Sequence, residues 1–185
     1  MRELIYSMGV SLDGYIAGPA GEIDWAAPDE ELHRFYNEQA REVGMHLCGR
    51  RLYDAMRPWD EMEEESSQGE HLLEFARIWQ ETPKLVFSRT VDEIDGDATL
   101  VKGDAVEEVT RLKEEPGGPM AVGGAGLAAT FVRAGLVDEY RLFVSPVVVG
   151  GGTPFFPSLE SRLELKLLET RTFASRVVYL RYARA

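Results

Sequence analysis

Two glycine-containing stretches have the residue types and the placement to hold phosphate. The first, Gly123-Gly124-Ala125-Gly126, follows the apolar run Pro119-Met120-Ala121-Val122 and precedes Leu127 to Ala134. Glycines where a strand passes into a helix let a ligand approach the backbone, and the free N–H groups and positive dipole of the helix start favour an anion. The second, Gly49-Arg50-Arg51, follows Val43 to Leu47 and opens the segment Arg50 to Met56. Two guanidiniums stand at this turn, and guanidinium pairs with phosphate in bidentate geometry. Neither stretch has the full GxGxxG spacing or a following GK[ST], so each alone also reads as a tight turn or a pair of surface arginines. Two such strand ends in one sheet predict a crevice for a dinucleotide.

Nucleophilic and metal chemistry find less support. Cys48 is the single cysteine, lies in the apolar stretch Met45-His46-Leu47-Cys48, and reads as a buried inert thiol. His33, His46 and His71 form no HxH or HExxH pattern, so no metal is expected. A reaction that needs a proton would draw on a carboxyl whose pKa is raised by partial burial. Asp13, before Gly14, is one such carboxyl, although an Asp-Gly pair is also an ordinary turn.

The surrounding elements must bring these stretches together. Glu3 to Val10 reads as a strand feeding a long loop with Asp13-Gly14 and Gly18-Pro19-Ala20-Gly21. Pro28-Asp29-Glu30-Glu31 opens a helix with its apolar stripe at Leu32, Phe35, Tyr36 and Ala40 and its acids in the first turn. Val43 to Leu47 is a second strand, and the helix from Arg50 should stop before Pro58. Asp60 to Gly69 has the composition of a solvated loop, and Leu72, Phe75, Ala76 and Trp79 mark another helix. Lys84 to Ser88 and Ala98 to Val101 read as strands, Asp104 to Glu115 as a helix, Pro119 to Val122 as a strand and Leu127 to Ala134 as a helix. Tyr140 to Val149, Leu163 to Leu168 and Val177 to Tyr182 finish as strands. Alternating strands and helices followed by a strand-rich tail predict an α/β fold, a mostly parallel sheet flanked by helices with antiparallel strands at one edge.

The chain has 185 residues, the size of one domain, and neither a repeat nor a linker divides it. Its 44% apolar and 28% charged residues are the balance of a packed protein. With 20 Lys plus Arg against 32 Asp plus Glu, the formal net charge of −12 opposes a phosphate backbone, so no nucleic-acid partner is expected. The N-terminus has no secretory apolar run, and no window approaches the ~18 apolar residues of a membrane span, which predicts a cytoplasmic protein without a membrane partner.

The ordered pieces SLDGYIAG (Ser11 to Gly18), Ile23-Asp24-Trp25, GRRLYDAM (Gly49 to Met56), KLVFSRT (Lys84 to Thr90), VGGAGL (Val122 to Leu127) and LVDEYRLFVSPVVVGGGTPFFP (Leu136 to Pro157) span almost the whole chain. Together they resemble dihydrofolate reductases and, more closely, the C-terminal reductase domain of bacterial riboflavin biosynthesis proteins. The resemblance implies one dihydrofolate reductase-like, three-layer domain over residues 1–185 that binds NADPH and transfers a hydride to a small pyrimidine- or pterin-like heterocycle. A 5-amino-6-(5-phosphoribosylamino)uracil reductase-like activity is one form of this. It also implies a homodimer formed through the sheet edge. On the family's pattern, Gly49, Arg50 and Arg51 contact the pyrophosphate and 2′-phosphate, and Ser88 and Arg89 lie near the adenosine. Gly123, Gly124, Ala125, Gly126 and Leu127 form the turn that holds phosphate near the nicotinamide, often through an unusual peptide between the two glycines. Asp13 to Trp25 matches the mobile loop over the nicotinamide. The family's acid falls on Asp29 or Glu30, and Ser145 matches a hydroxyl residue that faces substrate. No deaminase domain accompanies these pieces, and no basic cluster for a ribose phosphate can be placed. Two rivals remain: a non-catalytic nucleotide-binding or sensing module, and a scaffold that dimerises through Tyr140 to Val149 and the C-terminal strands.

Overall fold

A computed structural model describes residues 1–63 and 69–185. In chain order the elements are β1 (Leu4–Ser11), β2 (Tyr15–Ala17), a 3-10 turn (Asp24–Ala26), α1 (Glu30–Arg41), β3 (Met45–Gly49), α2 (Arg50–Asp60), α3 (Glu70–Glu81), β4 (Lys84–Phe87), β5 (Thr99–Val101), α4 (Ala105–Glu114), β6 (Met120–Gly123), α5 (Ala125–Arg133), β7 (Glu139–Ser145), β8 (Thr153–Pro154), β9 (Leu165–Thr172) and β10 (Val178–Arg184). Eight strands form one sheet in the order β5-β4-β3-β6-β1-β7-β10-β9, and β2 pairs with β8 in a small ribbon. The pairs from β5 to β7 are parallel, whereas β10 runs antiparallel to both β7 and β9. The α/β architecture expected from the alternating pattern is therefore present, antiparallel edge included.

Strand alternation sends successive side chains to opposite faces. Leu4, Tyr6, Val10, Leu47, Met120 and Val122 pack with Val109 and Leu112 of α4 and with Ala128 and Phe131 of α5. On the other face, Phe143 and Tyr179 meet Leu32 and Phe35 of α1, and Cys48 and Val86 meet Tyr53 of α2 and Trp79 of α3. The result is three layers, with α1 to α3 on one side and α4 and α5 on the other.

Four element ends differ from the pattern reading. Helix α2 runs through Pro58 to Asp60, because the Gln80 side chain on α3 donates to the carbonyls of Trp59 at 2.8 Å and Met62 at 3.1 Å, satisfying the end that proline weakens. Asp60 thus closes a helix instead of opening a loop; the remaining loop expectation falls partly on residues 64–68, outside the described residues. Strand β7 stops at Ser145, where Pro146 follows and the Ser145 carbonyl accepts from Val147 N–H at 2.8 Å. Strands β9 and β10 also reach further than Leu168 and Tyr182, since each is extended by ladder pairing with the other.

One buried titratable group has a consequence for acid stability. His46 on β3 lies opposite Lys84 on β4, with its ring 4.8 Å from that of Trp79. Burial, reinforced by the Lys84 charge, pushes its pKa from the ordinary 6.5 down to about 4. Below pH 6.5 the unfolded chain takes up a proton that the folded chain refuses until about pH 4. Stability from neutral His46 is therefore complete above 6.5 and lost as pH falls through that window. At about 1.4 kcal/mol per unit, urea denaturation should show about 2 kcal/mol less stability at pH 5 than at pH 7. In His46→Phe that difference should shrink; an unchanged difference would assign it to other groups.

Candidate active site

Parallel strands end on the same rim, and the sheet order sets Gly49 at the end of β3 beside Gly123 at the end of β6. From these ends α2 and α5 start side by side. Gly124, the N-cap of α5, has φ +95°, and a Cβ added there would lie 3.5 Å from both the Cα and the N of Gly49. The two turns pack backbone on backbone, which side chains would prevent. The described peptide bonds include no cis bond, so the unusual conformation at this turn belongs to Gly124 itself.

Of the helices that start on this rim, α2 and α5 lack side-chain caps, whereas α4, which follows β5, has one. Helix α1 is capped by Asp29, which accepts from Leu32 N–H at 2.9 Å, and α4 by Asp104, which accepts from Val106 and Glu107 N–H at 2.8 and 3.0 Å. Helices α2 and α5 open on Gly49 and Gly124, with no side chain bonded to their first amides; α3 also opens on a glycine, Gly69, but no strand feeds it. Two adjacent positive helix ends with open N–H groups can accept an anion. Arg50 is paired with Asp54 at 3.4 Å. Arg51 and Arg89 are exposed and have no ion-pair partner among the described residues.

On the α4 and α5 side of these turns is a cavity of about 310 Å³, lined by Gly49, Ser88, Arg89, Gly126 and Leu127 together with Val101 and Ala105. Five of the sequence-predicted positions, Gly49, Ser88, Arg89, Gly126 and Leu127, thus line one cavity, and Gly124, which follows Gly123, packs against Gly49. Ala125 is the first residue of α5, and Arg50 and Arg51 stand at the head of α2.

On the opposite side of the sheet, under α1 and α2, lies a cleft of about 380 Å³ whose lining includes Met8 and Gly9 of β1, His33 and Tyr36 of α1, Trp59 of α2 and Phe143 of β7. The loop after β2 forms one wall: Ile23 and Ala26 line it, and a Cβ at Gly9 would sit 3.6 Å from that of Ala26. Trp25, in the 3-10 turn between them, is half-buried, and its Nε1 is buried with no partner among the described residues.

The carboxyls singled out in the sequence take other roles in the geometry. Asp13 accepts from the Ser11 hydroxyl at 2.7 Å and from the N–H groups of Val149 and Gly150 at 3.2 and 2.8 Å, and these bonds, Ser11 foremost, lower its pKa. It ties the loop after β1 to the segment after β7. Glu30 is exposed and bound by Arg34 at 2.7 Å, which lowers its pKa too. Asp29 is occupied in capping α1. None of the three lines the cleft, and none is buried. Ser145 is buried at the end of β7 opposite Ser11, on the strand face that Phe143 shares but beyond the cleft lining. The sequence reading missed His33, whose signal was its place one helical turn before Tyr36 on the same face of α1.

Among the described residues no group of three or more His, Cys, Asp or Glu side chains could hold a metal ion, and no helix is long and apolar enough to cross a membrane.

Comparison with known proteins adds three findings. The family model described as RibD C-terminal domain matches residues 2–179. The uncharacterized protein YyaP of Bacillus subtilis (strain 168) is 37% identical over 182 residues, which is 98% of this chain and 94% of that protein. Among solved structures, a Shewanella sp. PV-4 protein provisionally described as a riboflavin biosynthesis protein superposes with a TM-score of 0.78 at 24% identity, covering 100% of this chain and 99% of the other. Dihydrofolate reductase from Enterococcus faecalis, complexed with NADP(H) and RAB-propyl, superposes with a TM-score of 0.64 at 14% identity, over 98% and 96% of the two chains. The fold is dihydrofolate reductase-like.

Proposed function

Because this chain belongs to the RibD C-terminal domain family, whose model spans residues 2–179, we propose that it is a reductase that uses NADPH to reduce a small heterocyclic compound. The observation that carries this reading is the pair of glycine-started helices packed through Gly49 and Gly124 between two cavities, one on each face of the sheet. A dinucleotide fits that arrangement, its phosphates at the helix ends and its two rings in the separate cavities.

In this reading Gly49, Gly123, Gly124, Ala125 and Gly126 give phosphate access to backbone N–H groups, with Arg50 and Arg51 at the head of α2. Ser88, Arg89 and Leu127 border the adenosine cavity, and Arg51 takes the 2′-phosphate. NADPH, when bound, supplies the hydride. The chain orients the rings and excludes water, with Ile23, Trp25 and Ala26 covering the cleft. Asp13 holds the base of that loop, Asp29 fixes the start of α1 and so the position of His33, and Ser145 closes the end of β7. A homodimer formed through the C-terminal strands would use β9, since β7 is paired on both sides and β9 is the free edge at that end of the sheet, with Leu167 and Leu168 about half exposed.

A ligand that binds only the folded protein stabilises it by about 2.7 kcal/mol at a hundred times its Kd, so NADPH should raise the melting temperature; no shift sinks the proposal. Arg51→Ala should weaken NADPH by about tenfold or more, the size of one charge-assisted hydrogen bond, and leave NADH unchanged in a tryptophan-fluorescence titration. Equal losses for the two nucleotides would remove Arg51 from the 2′-phosphate.

A further inference from the structure

The cleft under α1 and α2 is walled by rings and thioethers. Tyr36 and Phe143 meet edge to face with centroids 4.5 Å apart, Trp59 and Phe75 do the same at 4.8 Å, and Met8 and Met56 fill in beside them. Such walls favour a flat π-system through stacking and buried apolar area. The side chains in the lining that carry a polar group are Ser7, His33, Tyr36 and Trp59. His33 is only 7% exposed: its Nδ1 is sealed from solvent beside the Asn37 side chain, which leaves Nε2 as the ring nitrogen that can meet a ligand. A bound ring with a carbonyl or N–H edge would pair with that nitrogen, a net gain of about 0.5–1.5 kcal/mol. Burial and the nearby His71 keep His33 below its ordinary pKa, against the opposing pull of Asn37 and Glu74, so it is neutral at pH 7.

Charge argues equally strongly. No Lys or Arg is among the described residues of this lining, and residues 64–68 read EESSQ, which contains no cation. A deeper cavity that shares Ser7, Met8, Tyr36 and Phe143 does include Arg141. That guanidinium is already bonded to Glu139 at 2.5 Å, to Glu42 at 3.2 Å and to Gln39, and Glu139 is shared with Arg181 at 2.8 Å, so its charge is committed within the protein. A phosphate entering either cavity would meet no uncommitted cation, and burying an anion without a counter-charge is unfavourable.

We infer that the cleft takes a flat, uncharged ring compound that carries no phosphate, stacked on the aromatic wall and hydrogen-bonded by His33. That this compound is the substrate rests on the reductase reading; the chemistry of the site does not.

The test uses a matched pair of probes, 4-methylumbelliferone and 4-methylumbelliferyl phosphate, titrated calorimetrically into the nucleotide-free protein, with NADPH titrated in parallel. The parent compound should bind at least about tenfold more tightly than its phosphate ester, a comparison that needs no variant. His33→Phe keeps the ring volume and loses the nitrogen, and it should weaken the parent about tenfold, the size of one hydrogen bond, with the thermal melt confirming that it is folded. Equal or tighter binding of the ester, no binding of the parent at millimolar concentration, or an unchanged affinity in a folded His33→Phe would overturn the inference. NADPH binding without methylumbelliferone binding overturns it and leaves the reductase reading standing; the reverse result overturns the reductase reading alone.

Discussion

Gly124→Val should abolish NADPH binding, raising the Kd more than a hundredfold, while the protein still folds. Gly124 holds φ +95° at the head of α5, a conformation that costs a non-glycine residue about 1–3 kcal/mol and a β-branched one the upper part of that range. The Cβ itself fits, at 3.5 Å from Gly49. The two γ-methyls do not have such room: they press on Gly49 and Leu52 or stand over the open amides of α5, where phosphate would sit. The loss should therefore appear first in affinity, read by fluorescence titration on protein whose near-UV circular dichroism is native. Gly126→Ala is the companion variant, because a methyl there meets open space and adds helix propensity. It should gain up to about 1 kcal/mol of stability, and any loss of NADPH affinity it shows reports the ligand's approach and not a damaged fold. An unchanged Kd in Gly124→Val would move the phosphate site elsewhere.

Arg141→Ala should cost about 3–5 kcal/mol in urea denaturation, the usual penalty for removing one partner of a buried ion pair. Arg141 and Glu139 are 3% and 5% exposed, their side chains meet at 2.5 Å, and the guanidinium also holds Glu42 on the segment after α1. Glu139 retains Arg181 at 2.8 Å, which places the loss at the lower end of the range. Arg34→Ala, which breaks the exposed pair with Glu30, should cost less than about 1 kcal/mol. A comparably small loss for Arg141→Ala would mean that Arg181 alone compensates Glu139.

What could be read from the sequence obeyed local rules. Gly49 and the Gly123-Gly124 pair stand between an apolar strand and a helix, and the backbone demands of such a turn are satisfied within a few residues. The Leu32, Phe35, Tyr36 stripe fixed α1 for the same reason. The sequence left each carboxyl between a proton donor and a turn or helix-start residue, because exposure is not a local property. Asp13 finds its partners in Val149 and Gly150, and nothing between Ser11 and Gly18 announces them. The place of His33 one turn before Tyr36 was visible, but the cleft around it is assembled from α2, α3 and β7, and that assembly has no local signature. The continuation of α2 through Pro58 depended on Gln80 of another helix, and β2 and β8 are too short to leave a period-two pattern.

The position of β1 in the sheet governs when the molecule can assemble. Its two neighbours are β6 and β7, which set Leu4 against Met120 and Ile5 against Glu139, so the strand at the centre of the core gains its partners only after most of the chain has emerged. Until then its apolar residues and both of its hydrogen-bonding edges are unprotected. Folding of such non-local topology is slow, because loop closure precedes the contacts that reward it. The crevice, whose halves come from the β3 and β6 ends, is therefore completed in the same late step as the core. An unfinished chain would expose strand edges before it could bind anything, which is the state most open to aggregation and to capture by chaperones.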